Sequence, residues 1–454
     1  MGSEVTKRNG PAATRSCEER GPRDAPPGYK KTEVGVIPKD WDIKPLMEVL
    51  VRGRLGGNYP TQETDTDFPL IKMGNVGRGR FDLSKVEFIA SGVVPDDNHR
   101  LRQGDILLNT RNTPELVGKV AIWRSGLPVA YYNSNLMKLE FDPQKVASNE
   151  YANYALNSEA SVRRLHALAT GTTSVAAIYS RDLLRLPFVL PSLSEQRAIA
   201  EALSDVDGLL EALDNLIAKK RAIKRAAMQQ LLTGETRLPG FRGPWETKRL
   251  GNHVRFLRNG TLSRADLSDA GSVKYLHYGD IHTSSDVYLN PSTRTLPTLQ
   301  RSLTKSLDRL ENGDLVLVDA SEDIEGVGKA LEVKGVQGHE IVAGLHTIAA
   351  RFDKSVLADG FKAYLQFCPP FRKHIRRLAA GTKVYATQRA HIETVEMPLP
   401  TVEEQTAIAA VLSDMDAEIK ALEAQRDKVR RIKRGMMQEL LTGRIRLVQP
   451  EEAA

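Results

Sequence analysis

The sequence predicts an α+β protein: two related α/β-mixed domains, and two long helices that pair antiparallel around a pseudo-twofold axis. Three observations carry this. Residues 190–238 and 399–447 are one segment written twice, aligning without a gap at an offset of 209 (Gln196 on Gln405) with about half the positions identical. The stretches before them share sparser landmarks. Charge along the two repeated segments is polarised, acidic first and basic second. A period this long is no solenoid repeat, whose units run roughly 20–50 residues.

The 454 residues, 41% of them hydrophobic, suffice for two or three buried cores. Residues 1–29 mix Gly, Pro, Ala, Arg and Glu without an apolar period and read as a disordered tail. From GVIPKDWDIKPL onward, short β-rich runs alternate with turn signals: FPLIKMGNV, KVEFIA, GDILLNT, GKVAIW and NLMKLEF. A helical stretch over about 149–169 follows. The second half repeats the order with VKYLHYGDI, GDLVLVDA, GKALEV and HTIAARF, then a helix near 360–379. Trp41-x-x-Lys44-x-Leu46 matches Trp245-x-x-Lys248-x-Leu250, Gly104-Asp105 matches Gly313-Asp314, and Gly171-Thr172 matches Gly381-Thr382. The Trp and Gly-Asp positions read as framework.

Each repeated segment opens with a capping box, Ser192-x-x-Glu195 or Thr401-x-x-Glu404, and closes at a glycine suited to a left-handed cap, Gly234 or Gly443. That gives helices of about 40 residues, roughly 60 Å at 1.5 Å per residue. Apolar residues recur at steps of four and three: Ile199, Leu203, Val206, Leu210 and Leu213 in the first, then Ile408, Leu412, Met415, Ile419 and Leu422 in the second. Such a stripe asks for a helical partner. The acidic halves (Glu195, Asp205, Asp207, Glu211; Glu404, Asp414, Asp416, Glu418) precede basic halves (Lys219, Lys220, Arg221, Lys224; Arg426, Lys428, Arg430, Lys433). Antiparallel pairing sets opposite charges face to face at both ends. Exposed pairs contribute only about 0–1 kcal/mol each, so charge selects direction rather than stability.

Composition excludes several classes. The formal charge of +7 suits a polyanionic partner. Two cysteines, Cys17 and Cys368, build neither a disulfide framework nor a zinc site, which fits a reducing cytoplasm. No apolar run reaches the roughly 18 residues needed to span a bilayer.

On these motifs the chain resembles the specificity subunit of a type I restriction-modification system. The resemblance runs from about Lys30 to Leu447 and rests on the LPSLSEQRAIA and LPTVEEQTAIA openings, the KRAAMQQLLTG and KRGMMQELLTG endings, and the GVIPKDWDIKPL start. It implies a tail (1–29), a target-recognition domain (30–190), a central conserved helix (191–236), a second target-recognition domain (237–399), a C-terminal conserved helix (400–443) and a tail (444–454). It further implies a non-catalytic subunit whose two domains read an asymmetric bipartite site in double-stranded DNA. The helices would be a coiled-coil spacer that binds two modification subunits, with Gln196 and Gln405 counted among the spacer and subunit-binding residues. S-adenosylmethionine would be held by those methyltransferase partners and no cofactor by this chain. Restriction subunits, ATP-dependent translocase-nucleases, are the further partners it implies, with a methylation-only system as the alternative.

Catalytic look-alikes fail on their residues. A fused adenine methyltransferase needs an Asn/Asp-Pro-Pro-aromatic loop, and Cys368-Pro369-Pro370-Phe371 lacks the polar residue. Asp314 with Glu332-Val333-Lys334 imitates a metal nuclease set, yet the first half has Ile122-Trp123-Arg124 there. Gly326-Val327-Gly328-Lys329 is not a P-loop, and His277 and His282 around Asp280 have Lys72 and Gly77 as counterparts. No metal is expected.

Base edges are read by polar side chains on loops, and phosphates by cations, hydroxyls and backbone N–H. Three loop pairs differ between the halves and become the candidates. The first holds Lys72, Asn75 and Arg78, against His277, Tyr278 and His282. The second holds Arg111 and Asn112, against Asp319 to Glu322. The third is the Gly-Thr turn with Thr172, Thr173 and Ser174, against Thr382 and Lys383, with Gln388 and Arg389 beyond.

Overall fold

The computed structural model describes residues 25–124, 126–171, 174–268, 270–381 and 383–448. Most of the expected 1–29 tail, and Thr172, Thr173 and Thr382, lie outside the described residues. The chain divides into two compact units, Met1–Ala212 with Asp427–Ala454, and Leu213–Arg426.

Unit 1 is built on a four-stranded antiparallel sheet in the order Val120–Ile122, Ile106–Asn109, Leu136–Phe141, Leu50–Leu55. The GDILLNT and NLMKLEF runs are its inner strands and GKVAIW lies at one edge. Their residues are almost wholly buried because the sheet is covered on both faces. One face meets a core of Trp41, Leu46, Ile106, Leu108, Tyr151, Leu165 and Phe188, and the other meets Ile71, Leu107, Ala121 and Trp123. A second sheet, in the order Tyr131–Tyr132, Pro69–Ile71, Glu87–Ile89, Thr61–Gln62, carries the FPLIK and VEFIA runs.

Unit 2 repeats the plan. Its main sheet runs Val254–Phe256, Thr347–Phe352, Leu315–Val318, Ala330–Val333, with Tyr288–Leu289 added in parallel at the edge. A smaller sheet runs Thr298–Leu299, Val273–Leu276, Glu340–Ala343.

Each expected single helix is broken at the same place. In unit 1, Asn149–Leu156 ends at Asn157, and Ser158 caps a new helix, Glu159–Ala167, by accepting from Ser161 N. In unit 2 a 3-10 turn, Lys362–Phe367, gives way at Cys368 to the helix Pro369–Leu378, because proline lacks the N–H a continuous helix needs. Cys368 is buried, its thiol pushed up to about 12 by burial, and its sulfur faces Tyr364 O.

The two long helices are Leu193–Leu231 and Val402–Leu440, 39 residues each. Within unit 1 the first part of the central helix runs antiparallel to the last part of the C-terminal helix: Asp207 pairs with Lys433 at 2.6 Å, and Glu195 with Arg446 at 2.5 Å. Within unit 2 the complementary parts do the same, with Asp214 on Arg426 (3.4 Å), Lys220 on Glu418 (2.6 Å) and Lys224 on Asp416 (2.5 Å). Gly234 and Gly443 take φ of +75° and +67° past the helix ends, as a left-handed cap requires.

Candidate nucleic-acid interface and its framework

The repeated helix openings build one framework twice. Ser192 Oγ accepts from Glu195 N at 3.3 Å and Thr401 Oγ1 from Glu404 N at 3.4 Å, which is half of each expected capping box. The other half is absent. Glu195 is 1% exposed, and its carboxylate instead accepts from Trp41 Nε1 at 2.9 Å and from the Arg446 guanidinium, which also lies over the Trp41 ring. In unit 2 Glu404 takes a two-point contact from Arg237, whose guanidinium lies over Trp245. A buried carboxylate needs a cation and full hydrogen bonding, and a guanidinium offers both where a helix N–H offers only one donor.

Gln196 and Gln405 are fully buried, which corrects their assignment to subunit binding. Gln196 accepts from Ala147 N and donates to Lys145 O and Pro191 O. Gln405 accepts from Ala358 N and donates to Val356 O and Pro400 O. Each amide satisfies three buried backbone groups and fastens its helix to the domain before it, leaving nothing for a partner.

The apolar stripe is likewise used at home. Ile199 and Leu203 lie in the unit 1 core with Leu440 and Leu441, while Ile408 and Leu412 lie in the unit 2 core with Leu231 and Leu232. Leu213 and Ile419 are buried, and Val206, Leu210, Met415 and Leu422 are half-buried. A second repeated set locks the pairing. Tyr154 donates to Asp207 (2.7 Å), which holds Lys433; Tyr364 donates to Asp416 (3.4 Å), which holds Lys224.

The candidate loops converge partly. In unit 1 the Gly-Thr turn and the Arg111–Asn112 loop join in one small sheet, Thr170–Gly171, Ala176–Ala177, Arg111–Asn112. Gly171 has φ of +156°, and a Cβ there would collide with the Val175 carbonyl, so only glycine makes this hairpin. Arg111 is exposed, Asn112 is half-buried with its side chain accepting from Thr113 N, and Ser174 is exposed. Arg78 is exposed and bonds His166 Nε2 at 2.7 Å.

Unit 2 repeats the sheet with Ala320–Ser321 on Tyr385–Ala386, and Gly381 has φ of +148°. Here the first loop joins the others: His282 Nε2 lies 3.2 Å from Ala320 O, and Thr387 N donates to Asp319 O at 2.7 Å. Tyr278 is half-buried, its ring edge-on to His282 and His346. Lys383 and Gln388 are exposed, with Gln388 bonded to His391.

Several candidates turn out to be framework. Asn75 is buried; its side chain accepts from Lys72 N and donates to Asp82 O and Lys85 O, so no polar atom is left to read a base. His277 is buried and caps the helix Tyr278–His282, its Nδ1 accepting from Gly279 N. Burial holds its imidazole below the usual histidine range. Arg389 is tied to Leu257 O and Asn259 Oδ1. Lys72 remains half-exposed but pairs with Glu87 at 2.8 Å, whose carboxyl it holds below its ordinary value. The loops were legible as turns; which side chains they consume internally was not.

The nuclease look-alike is also structural. Asp314 makes a two-point contact with Arg351, and the buried Glu332 accepts from Gly360 N and Ala363 N. No group of three or more His, Cys, Asp or Glu able to hold a metal occurs among the described residues. No helix among them is long and apolar enough to cross a membrane.

A doubled mixed α/β framework with paired helices and unlike loops defines a protein built from two versions of one module. Residues 38–220 match the model of the type I restriction modification DNA specificity domain. The putative type I restriction enzyme MjaX specificity subunit of Methanocaldococcus jannaschii is 24% identical over 438 residues, covering 92% of this chain and 97% of that one. The EcoKI specificity subunit of Escherichia coli K12 is 22% identical over 417 residues, covering 86% and 85%. The fold is that of the type I system S subunit from M. genitalium, with a TM-score of 0.55 and 16% identity over 88% of this chain and 96% of that one. A second solved chain, from work on assembly and conformational transition of the type I system, has a TM-score of 0.53 and 16% identity over 90% and 99%. Over most of its length the chain is similar to specificity subunits of type I restriction-modification systems.

Proposed function

We propose that the protein reads an asymmetric bipartite site in double-stranded DNA, one block with each unit. In this reading residues 30–190 and 237–399 are the target-recognition domains, related by a pseudo-twofold axis, and the paired helices form the spacer between them. The carrying observation is that a glutamate–arginine pair beside a tryptophan recurs, Glu195–Arg446 with Trp41 and Glu404–Arg237 with Trp245, although only Trp41 donates to its glutamate, while the polar residues of the candidate loops differ. A recurring framework with unlike loops suits two unlike half-sites. The chain supplies sequence choice; the methyl transfer belongs to two partner modification subunits that hold S-adenosylmethionine, with restriction subunits as further partners. The curated relatives' naming as restriction-enzyme specificity subunits supports this.

The test is to co-express the chain with a modification subunit and map methylated adenines across the host genome. Two unlike blocks at fixed spacing are expected. A continuous palindrome, or methyl transfer by the purified chain alone, would overturn the reading. Deleting the heptad Leu209–Asn215 is expected to alter the spacing or the assembly and to leave both units folded.

A further inference from the structure

Among the described residues, His346 is the one non-glycine with positive φ, at +54°. It stands in the tight turn between the strands Glu340–Ala343 and Thr347–Phe352, and several contacts hold it there. Its carbonyl accepts from Asp319 N at 3.2 Å, and its Nδ1 lies 3.2 Å from Asp319 Oδ1. The ring of Tyr278 packs edge-on at 5.4 Å. Asp319 in turn accepts from Thr387 N. A strained backbone this thoroughly supported is more often found at a functional site than elsewhere.

His346 therefore sits where all three candidate loops of unit 2 meet: Tyr278 from the first, Asp319 from the second, Thr387 just past the third. Half its side chain remains exposed while Asp319 is the less exposed partner. Burial pushes the Asp319 carboxyl up and His346 pulls it back. A carboxylate accepting at Nδ1 fixes the neutral tautomer with the proton on that nitrogen, leaving the Nε2 lone pair unused. In unit 1 the same turn has Asn135, whose carbonyl accepts from Thr110 N and Thr110 Oγ1. The backbone pairing is shared, and the polar side chains are not.

We propose that His346 is a specificity-determining residue of unit 2. Its Nε2 accepts a hydrogen bond from an exocyclic amino group, N6 of adenine or N4 of cytosine, in the major groove. Asp319 is its positioning residue. This rests on the DNA-reading function above.

The test uses the full chain co-expressed with a modification subunit, with His346→Asn and His346→Gly as variants. Both residues accept a left-handed backbone, so the turn is preserved and melting should stay near wild type. The methylation map of each variant is expected to lose discrimination at one position of one block, by roughly 2- to 10-fold for one lost hydrogen bond. The other block and the spacing stay fixed. The base at the relaxed position in the wild-type motif tells adenine from cytosine. Asp319→Ala, which frees the imidazole to present either tautomer, is expected to broaden that same position only. Unchanged discrimination in both His346 variants overturns the proposal, as does an equal loss across both blocks. A wild-type map without two blocks would instead overturn the parent reading.

Discussion

The Glu195 carboxylate meets the Arg446 guanidinium at two points, Oε1 to Nε at 2.5 Å and Oε2 to Nη2 at 2.7 Å, across 251 residues of chain. Arg237 makes the equivalent contact with Glu404 in unit 2. In both units the arginine follows the end of one long helix, and the glutamate stands in the first turn of the other.

Removing that cation leaves a buried carboxylate without its counter-charge, although Glu195 keeps the hydrogen bond from Trp41 Nε1. Arg446→Ala is expected to destabilise unit 1 by about 3 kcal/mol, and Arg237→Ala to lower the stability of unit 2. Urea unfolding followed by tryptophan fluorescence checks this, since Trp41 and Trp245 lie beneath these guanidinium groups. A loss below about 1 kcal/mol would mean that water replaces the arginine at little cost.

The buried amides should matter for stability rather than assembly. Gln196→Ala and Gln405→Ala each strand three backbone groups, at an expected cost of about 1–3 kcal/mol. Pull-down of a modification subunit by the folded variants should match wild type. Selective loss of capture with normal melting would restore the subunit-binding role that the sequence suggested.

The antiparallel register can be measured through its charges. Asp207→Lys and Lys433→Asp should each weaken the pairing, and the double exchange should recover part of the loss. A double-mutant cycle is expected to give a coupling of about 0.5–1 kcal/mol, since both side chains are partly exposed. Strictly additive losses would show that the pair contributes nothing beyond its separate contacts.

Acid should loosen unit 2 through His277. Burial holds its folded-state pKa below the ordinary histidine value near 6.5, while Asp280 pulls it upward and Arg264 and His346 push it down. A histidine whose folded pKa is depressed contributes stability that is present above pH 6.5 and lost as the pH falls through its folded value. Protonation also removes the Nδ1 lone pair that accepts from Gly279 N. His277→Asn keeps a neutral acceptor and is expected to flatten the melting curve between pH 7 and 5. An unchanged pH profile in that variant would place the acid sensitivity elsewhere.

Local pattern determined a good deal here. The duplicated openings and glycine endings marked the two long helices, their charge order selected antiparallel pairing, and the β-rich runs marked the strands of the main sheets. These depend on neighbours in sequence: period, caps and breakers. The interruption at 368 is marked by Pro369 and Pro370, whereas no proline or glycine marks the break at 157.

What only tertiary structure decided was the fate of individual polar side chains. Glu195 belonged by pattern to a capping box, and a tryptophan 154 residues away with a more distant arginine claimed it instead. Gln196 reaches the backbone of Lys145 and Ala147, and Gln405 that of Val356 and Ala358, far off in sequence, whereas Asn75 and His277 cap the short helices they stand in or adjoin. His346 escaped notice because its strain and its aspartate partner exist only once two strands are side by side. Hydrogen-bonding demand is set by burial, and burial is a property of the packed chain rather than of any window of it.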